Sequence, residues 1–264
     1  MEALLQAIFL GFVEGITEFL PVSSTGHLIL LVDILKFSGP PGKIFEVVIQ
    51  LGSILAVCWL FRKRLWNVAI TVHKESSSRH FILLLLVAFI PALLIGALAH
   101  DFIKEVLFSP KVVAVMLVVG GIVILLAEKF KPEPHYHQVE DIGIKQALFI
   151  GFMQVLAMVP GTSRSAATII GGLFMGFDRK LAAEFSFFLA IPTMFAASVY
   201  DLYKSRHLLD AHDIGIIAVG FITAFVVALV TIRMLLAWLA KHGFVPFAIY
   251  RIIVGTLMLI LLFS

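Results

Sequence analysis

Long runs of apolar residues, separated by short polar interruptions, extend along almost the whole chain. At 1.5 Å of rise per residue, a helix needs about 20 consecutive apolar residues to cross the hydrocarbon core of a bilayer. Runs that approach or exceed that length occupy residues 44–61, 81–99, 112–127, 181–200, 214–239 and 246–263. The pattern therefore predicts an all-α polytopic membrane protein with six spanning helices, organised as a single integral membrane domain over residues 1–264.

Four shorter apolar segments come in two pairs, and each pair flanks a polar stretch. The polar stretches are PVSSTGH at residues 21–27 and PGTSRS at residues 160–165. The flanking segments are residues 3–20 and 28–37 in the first pair and residues 146–159 and 166–177 in the second. The segment after each stretch reaches only about half of the roughly 30 Å hydrocarbon thickness, so each pair predicts a re-entrant helical hairpin. The alternative is a pair of plain, short spanning helices.

The two polar stretches belong to an internal repeat. QAIFLGFVE at residues 6–14 and QALFIGFMQ at residues 146–154 share Gln, Ala, Phe, Gly and Phe at identical offsets. We divide the chain into two repeats, about 1–130 and 143–264, joined by a polar linker at 128–145. Each repeat contributes one hairpin and three spanning helices, and an odd number of spans reverses the direction of the second repeat. The sequence thus predicts two inverted-topology repeats with a site near the midplane of the membrane.

Composition agrees with a membrane protein and excludes several classes of function. Hydrophobic residues make up 61% of the chain and charged residues 14%, with a mean hydropathy of +1.05, which is too apolar for a soluble protein of this length. The net charge of +3 is spread over loops, so no nucleic-acid partner is expected. A single cysteine, Cys58, allows no internal disulfide, and the sequence has no Cys/His zinc spacing.

The distribution of Lys and Arg between the two sets of loops predicts the orientation in the membrane. The side that holds both termini carries six, namely Lys36, Lys43, Lys104, Lys111, Lys204 and Arg206. The opposite side carries eleven, namely Arg62, Lys63, Arg64, Lys74, Arg79, Lys129, Lys131, Lys145, Arg179, Lys180 and Lys241. Because loops rich in Lys and Arg stay in the cytoplasm, we expect both termini on the external side and the linker in the cytoplasm.

Two carboxylates lie inside the first apolar segment. Glu14 and Glu18 are four residues apart, which places them on one face of a helix. Ionisable groups at membrane depth are costly, so they indicate a functional site by default. Hard carboxylate oxygens suit a divalent cation such as Mg²⁺ or Ca²⁺, and we assign both residues to metal binding. The alternative is that residues 1–20 lie at the membrane interface with both carboxylates in water.

The first polar stretch supplies hydroxyl groups and a histidine. Ser23, Ser24 and Thr25 are preferred N-cap residues, so a second half-helix is expected to begin here. The free N–H groups and positive dipole end of a helix N-terminus bind anions. His27 falls within the first turn, where an imidazole can act as an acid or a base near neutral pH. A histidine in apolar surroundings can instead be a core residue whose hydrogen bonds are satisfied.

The second polar stretch combines the same kind of capping residue with an arginine. Thr162, Ser163 and Ser165 can cap the next half-helix. Arg164 is a permanent cation near the midplane, and its guanidinium matches the oxygens of a phosphate group. It could also pair with one of the two carboxylates of the first repeat.

Weaker polar signals lie in the spanning segments. Glu46, Gln50 and Gln154 could line the cavity. Glu184 and Arg251 are expected to form a structural ion pair between helices.

Two helix N-termini, an arginine, hydroxyl groups, a histidine and two carboxylates suit anionic phosphate chemistry better than cation transport. A midplane site that lipid can reach further suggests an amphiphilic substrate with a phosphate head and a hydrocarbon tail.

These motifs resemble those of a known family. EGITEFLPVSSTGH at residues 14–27 and PGTSRSAAT at residues 160–168 closely resemble the two signature motifs of the bacterial undecaprenyl pyrophosphate phosphatases of the bacitracin-resistance type. FEVVIQLGSILAV at 45–57 and PFAIYRIIVG at 246–255 are also similar to that family, so the resemblance covers nearly the whole chain. Ala166 departs from the pattern, because many members have glycine there, and its methyl group could tighten the half-helix.

The resemblance implies a multi-pass enzyme of the bacterial plasma membrane that depends on divalent cations and whose catalytic pocket opens to the outer, periplasmic face. The implied reaction is hydrolysis of undecaprenyl pyrophosphate to the monophosphate plus inorganic phosphate, which recycles the lipid carrier for cell-wall polymers and is associated with bacitracin resistance. The positions that match the family's chemical groups are Glu14, Glu18, Ser24, His27 and Arg164. The surrounding residues, assigned to phosphate binding, are Ser23, Thr25, Thr162, Ser163, Ser165 and Gln50.

For this reaction we expect Ser24 to attack in line, with Glu18 or His27 as the proton acceptor and Arg164 as the cation that stabilises the phosphoryl group. A phosphohistidine at His27 and direct attack by water stay open. An acid-phosphatase-like lipid phosphatase is disfavoured, because no histidine follows Arg164 until His207. The alternative function is a flippase or transporter, since inverted repeats with broken helices are transporter architecture. The expected partners are the lipid substrate and membrane lipids, and the sequence is also compatible with a homodimer.

Overall fold

The computed structural model describes residues 1–37, 39–40, 43–102, 109–205, 207 and 213–263. Within these residues the chain forms eleven α-helices and no β-strand, which confirms the predicted all-α class. In chain order they are α1 (Glu2–Thr17), α2 (Ser24–Ile34), α3 (Ile44–Leu60), α4 (Arg62–Thr71), α5 (Ser76–Phe102), α6 (Pro110–Phe130), α7 (Ile144–Leu156), α8 (Arg164–Phe174), α9 (Arg179–Ser205), α10 (Ile214–Leu239) and α11 (Val245–Phe263). Lys104 and Arg206, two of the basic residues used to predict the orientation, lie outside the described residues.

Five of the described helices, α5, α6, α9, α10 and α11, are long and apolar enough to cross a membrane. The run predicted at residues 44–61 forms α3, which ends at Leu60 and is followed by α4 after a bend of 72°. Counting α3 and α4 together gives a sixth candidate span. The hydrophobic pattern did not predict α4, because three basic residues in its first turn end the apolar run.

The two repeats pack on each other through close contacts between helices. α1 packs against α10, and α7 packs against α5. A Cβ at Gly11 would overlap with the Gly220 carbonyl oxygen, and a Cβ at Gly151 would overlap with the Ala88 carbonyl oxygen, so only glycine permits either contact. Gly11 and Gly151 occupy the same position in the two copies of the QAxFxGF motif. The glycine that the two copies share therefore makes equivalent contacts in α1 and α7.

The shared glutamine of the motif holds each pair of short helices together at the end opposite its polar stretch. Gln6 Nε2 donates to the Leu35 carbonyl at 3.0 Å, which places the N-terminal part of α1 beside the residue that follows α2. Gln146 Nε2 donates to the Tyr136 hydroxyl at 2.8 Å, and the Tyr136 N–H donates to the carbonyl of Gly176, just after α8, at 3.1 Å. Each pair of short helices thus folds back on itself, with its polar stretch at the turn.

The centre of the bundle is rich in aromatic side chains. α9 contributes three buried phenylalanines, Phe185, Phe187 and Phe188. Phe19, in the turn after α1, packs edge-on against Phe187 with ring centroids 5.3 Å apart. Aromatic pairs of this geometry contribute about 0.5–1.5 kcal/mol beyond the burial of their surface. This contact holds the first polar stretch against α9.

Candidate active site

Each polar stretch turns sharply into the N-terminus of the helix that follows it. Ser23 is the N-cap of α2, and its Oγ accepts the Gly26 N–H at 3.4 Å. Ser163 is the N-cap of α8, and its Oγ accepts the Ala166 N–H at 3.2 Å. Both serines have a positive φ, 70° and 73°, which is uncommon for a residue with a side chain. Strained backbone that recurs at two equivalent turns indicates a functional segment.

A cavity of about 170 Å³ lies where the two polar stretches meet. Its lining residues are Glu18, Ser23, Ser24, Thr25, Gln50, Ala157, Pro160, Gly161, Ser163, Arg164 and Met194. The first turns of both α2 and α8 contribute to this lining, so the N–H groups and positive dipole ends of two helices meet at one space. Such a space favours an anionic group.

A chain of three hydrogen-bonded side chains lies along this cavity. Ser24 Oγ donates to Glu18 Oε2 at 2.5 Å, and Arg164 Nη2 donates to Glu18 Oε1 at 3.3 Å. The expected pairing of Arg164 with a carboxylate of the first repeat therefore occurs with Glu18. A carboxylate that accepts a hydrogen bond from a serine hydroxyl can act as the base that activates this serine as a nucleophile.

Arg164 is also held by α9. Its Nη1 donates to the Ser186 carbonyl at 2.9 Å and lies 3.3 Å from the Ser186 hydroxyl. Thr168, one turn further along α8, shares a hydrogen bond of 2.7 Å with the same hydroxyl. The Nε of Arg164 is buried and has no hydrogen-bond partner among the residues that the structure describes. The guanidinium is therefore fixed in position and keeps a donor for a ligand.

A second cavity, of about 280 Å³, adjoins the first and shares Ser24, Thr25 and Gln50 with it. Its other lining residues are Glu14, Leu28, Ile29, Lys43, Glu46, Val47, Asp201, Lys204 and Ser205. Most of these residues belong to α2, to the first turns of α3 and to the last turns of α9. We call it the outer cavity, and it extends the site toward the start of α3 and the end of α9.

Glu14 is the second carboxylate of the site. It is 1% exposed, and its Oε1 has no hydrogen-bond partner in the described part of the chain. Among those residues no group of three or more His, Cys, Asp and Glu side chains could hold a metal ion by itself. Mg²⁺ at phosphate sites is commonly bound by one or two carboxylates, with phosphate oxygens and waters completing its shell. Glu14 and Glu18, which offer one unpartnered carboxylate oxygen, fit a site of that kind.

Three of the predicted site residues, Thr162, Ser165 and His27, are absent from the lining of both cavities. Ser165 Oγ donates to the Leu20 carbonyl at 2.9 Å, which ties α8 to the first polar stretch. The Thr162 hydroxyl is buried and has no partner among the described residues. Ser165 thus supports the frame of the site, whereas Ser23, Ser24, Thr25 and Ser163 line the first cavity.

His27 is bonded to the frame of the site through both ring nitrogens. Its Nδ1 lies 2.7 Å from the Ser23 carbonyl oxygen, and its Nε2 lies 2.7 Å from the Tyr250 hydroxyl. Tyr250 belongs to α11. The sequence did not indicate that Tyr250 contributes to the site, because tyrosine is common in membrane-spanning helices near the interface. The imidazole therefore connects the left-handed turn at Ser23 with α11.

Arg251 of α11 joins the two polar stretches, and its predicted pairing with Glu184 is wrong. Glu184 lies 3.8 Å from Lys180, whereas the Arg251 side chain is fully buried among backbone carbonyls. It donates to five carbonyl oxygens, those of Pro21 (3.1 Å), Thr162 (2.9 Å), Gly161 (2.8 Å), Met116 (3.0 Å) and Leu117 (3.3 Å). The carbonyls of Pro21, Gly161 and Thr162 lie in the two turns, where they have no helical partner, and they accept hydrogen bonds from the guanidinium in place of a carboxylate.

Gly120 of α6 makes room for this guanidinium. A Cβ at Gly120 would overlap with Arg251 Nη2. Glycine inside a helix is otherwise unfavourable by roughly 0.5–1 kcal/mol relative to alanine. The sequence shows the glycine and the arginine, but nothing in it connects two residues that are 131 positions apart.

These features define a multi-pass helical membrane protein with a buried site suited to a phosphate group. The family model described as bacitracin resistance protein BacA matches residues 7–257, and the chain belongs to that family. The family resemblance read from the motifs is therefore confirmed.

Proteins similar to this chain are named undecaprenyl-diphosphatases. The chain is 52% identical over 259 residues to undecaprenyl-diphosphatase 2 of Paramagnetospirillum magneticum, covering 98% of this chain and 99% of that protein. It is 53% identical over 261 residues to the undecaprenyl-diphosphatase of Methylobacillus flagellatus, covering 97% of each. It is 51% identical over 261 residues to that of Nitrosospira multiformis, covering 99% of this chain and 96% of that protein.

Proposed function

We propose that this protein hydrolyses undecaprenyl pyrophosphate to undecaprenyl phosphate and inorganic phosphate, which returns the lipid carrier of cell-wall synthesis to its monophosphate form. The names of the similar proteins support this substrate. One structural observation carries the chemistry: the Ser24 hydroxyl donates to Glu18 in a cavity to which Arg164 and two helix N-termini contribute. These groups supply a nucleophile, a base and positive potential for a phosphate in one place.

In the first step, Ser24 Oγ attacks the terminal phosphorus in line with the bridging oxygen. The Oγ–P bond forms as the bond from that phosphorus to the bridging oxygen breaks, so undecaprenyl phosphate leaves. Glu18 accepts the Ser24 proton across a hydrogen bond that is already 2.5 Å long and passes it to the departing phosphate oxygen. Water then cleaves the Oγ–P bond, returns one proton to Ser24 and leaves as part of inorganic phosphate.

Arg164 and the helix N-termini stabilise the negative charge on the transferring phosphoryl group. Arg164 is positioned before substrate binds, because Glu18 and Ser186 hold its two terminal nitrogens. Fixed donors of this kind need no reorganisation during the reaction, and a single one contributes about 3–4 kcal/mol to lowering a barrier.

Glu14 and Glu18 are the residues that would hold a divalent cation. Bound there, Mg²⁺ or Ca²⁺ would neutralise phosphate charge as a Lewis acid. The buried, unpartnered Oε1 of Glu14 supports this assignment. Glu14 lines the outer cavity together with Ser24, so a cation held there would lie in the same space as the nucleophile.

Ser24 is favoured over His27 as the nucleophile. Both nitrogens of His27 are hydrogen-bonded, to the Ser23 carbonyl and to Tyr250, and its side chain contributes to neither cavity. We assign His27 the role of holding the turn that presents Ser24. Direct attack by water remains as an outcome of the experiment below.

We further propose that α1–α2 and α7–α8 are re-entrant hairpins in two inverted repeats. The fold-back contacts of Gln6 and Gln146 and the equivalent contacts of Gly11 and Gly151 support this topology.

The orientation follows from the loop charges. The loops on the side of the linker carry eleven Lys and Arg residues and those on the side of the termini carry six, which supports termini and an outer cavity on the external face of a bacterial inner membrane. A C-terminal reporter found in the cytoplasm would contradict that orientation. The chemistry uses residues of one chain and is expected to proceed without a homodimer.

The test is phosphate release from a prenyl pyrophosphate by purified protein in detergent, with rapid quenching to trap a phosphoenzyme. We expect release that EDTA abolishes and a phosphoserine that maps to Ser24. Ser24→Ala should lose both, whereas Ser198→Ala, which removes another buried hydroxyl away from the cavities, should keep both. Release without any phosphoenzyme under efficient trapping would favour water as the nucleophile. A flippase without phosphatase activity would release no phosphate in detergent, where no second compartment exists.

A further inference from the structure

α4 carries a surface that the phosphatase chemistry does not use. It follows α3 at a bend of 72°, so it runs nearly across the direction of that helix. None of its ten residues is buried, and it packs against α3 and α5 only along one side. A hydrogen bond of 2.7 Å between Thr71 and Ser78 fixes the turn from α4 into α5. The helix is therefore held in place while most of its surface stays open.

Aromatic and basic side chains share the exposed surface at the start of α4. Lys63, Trp66 and Ile70 follow one another at helical spacing, and Trp66 and Ile70 are 70% and 55% exposed. Arg62 lies over the ring of Trp59, with its Cζ 4.9 Å from the ring centroid. Tryptophan beside basic residues is typical of a segment at the boundary between lipid and water.

The region around α4 carries a net positive charge. Residues 59–80 contain five Lys and Arg residues and a single acidic residue, Glu75. Arg64 forms an ion pair within the protein, because its Nη2 lies 2.7 Å from Oε1 of Glu140 in the connection between α6 and α7. Arg62 and Lys63 are exposed. Two neighbouring cations thus lie at the surface of a helix whose third cation fixes it to the protein.

We propose that α4 is an interfacial helix that binds the headgroups of anionic phospholipids through Arg62 and Lys63, with Trp66 at the boundary between headgroups and acyl chains. Lipid fits better than an acidic protein, because the exposed apolar surface of α4 continues along α3 at Leu55 and Trp59. Each basic side chain near an anionic membrane surface raises binding about five-fold, so the pair gives a preference of roughly 25-fold for anionic over zwitterionic lipid.

The test reads the fluorescence of Trp66 in the full chain reconstituted in lipid nanodiscs. The chain has three tryptophans, Trp59, Trp66 and Trp238, so a Trp59→Phe/Trp238→Phe protein reports Trp66 alone. Brominated acyl chains quench a tryptophan that they contact. Brominated phosphatidylglycerol and brominated phosphatidylcholine are each diluted into unlabelled phosphatidylcholine, and the mole fractions that half-quench Trp66 are compared.

We expect phosphatidylglycerol to half-quench at roughly a 25-fold lower mole fraction than phosphatidylcholine, with a smaller difference at high salt. Arg62→Gln/Lys63→Gln should abolish the preference. Lys129→Gln, which removes a cation outside α4, should keep it.

Equal quenching by the two lipids, or a preference that survives Arg62→Gln/Lys63→Gln, would overturn the proposal. Quenching by neither lipid would also overturn it, because the surface would then meet water or another protein. Phosphate release in detergent checks that each variant is folded. If the double variant is inactive, Lys63→Gln alone should show about a five-fold loss of preference.

Discussion

Replacing Arg251 with methionine tests whether one buried guanidinium holds the two polar stretches together. Methionine keeps an unbranched apolar stem but removes every N–H donor. Two of the five carbonyls belong to the interior of α6 and keep their helical hydrogen bonds, whereas those of Pro21, Gly161 and Thr162 lie in the turns and lose a partner. An unsatisfied buried carbonyl costs about 1–3 kcal/mol, so the three together destabilise the folded state by at least ~3 kcal/mol.

The measurements are thermal unfolding in detergent and phosphate release. For a chain of this length, ~3 kcal/mol corresponds to a fall of roughly 6–12 °C in Tm, and turnover should fall because both turns border the cavity. Arg251→Lys keeps the charge with fewer donors and should lie between the two. Arg233→Met removes an exposed arginine of α10 and is the matched control. If Arg251→Met unfolded at the parent temperature and turned over normally, the guanidinium would not hold the turns.

Three further outcomes follow from contacts in the site. Arg164→Ala should lower kcat for phosphate release at least 100-fold, which is about 3 kcal/mol of barrier, and near-normal turnover would exclude its role in charge stabilisation. Gly120→Ala should lower the unfolding temperature, because its Cβ overlaps with Arg251, whereas Gly215→Ala, with nothing within 4 Å, should not; equal effects of the two would contradict the packing argument. Glu14→Gln should raise the Mg²⁺ concentration needed for half-maximal phosphate release, and an unchanged Mg²⁺ requirement would remove Glu14 from the metal site.

The two polar stretches were predictable because the membrane makes polar residues informative. Hydroxyls, a histidine and an arginine are energetically costly within an apolar run and therefore indicate a functional site, so residues 21–27 and 160–165 stand out without any alignment. Helix capping is a local effect, and it correctly limited the starts of α2 and α8 to a few residues, among them Ser23 and Ser163. The pairing of Arg164 with Glu18 followed from charge alone.

The contacts that complete the site depend on the tertiary structure and were not predictable. Arg251 donates to carbonyls that lack helical partners because a turn interrupts the helices of each repeat. Every residue has a carbonyl, so the sequence does not show which carbonyls lack a partner. Ser186 supports Arg164 with its backbone as much as with its hydroxyl. His27 was found by its chemistry, but its direction is set by Tyr250, which lies 223 positions away.

The contact between α1 and α10 has a consequence for how the protein is made. α10 begins at Ile214, about 200 residues after α1 ends at Thr17, and a ribosome adding about 5–20 residues per second needs roughly 10–40 s to cover that distance. Until α10 is made, α1 with Glu14 and the adjoining Glu18 lies in or beside the bilayer without the surface of α10 against which it later packs. The insertion machinery must shield two carboxylates for that time. A chain cut short before α10 would contain the whole first polar stretch and would leave the surface of α1 that packs against α10 uncovered.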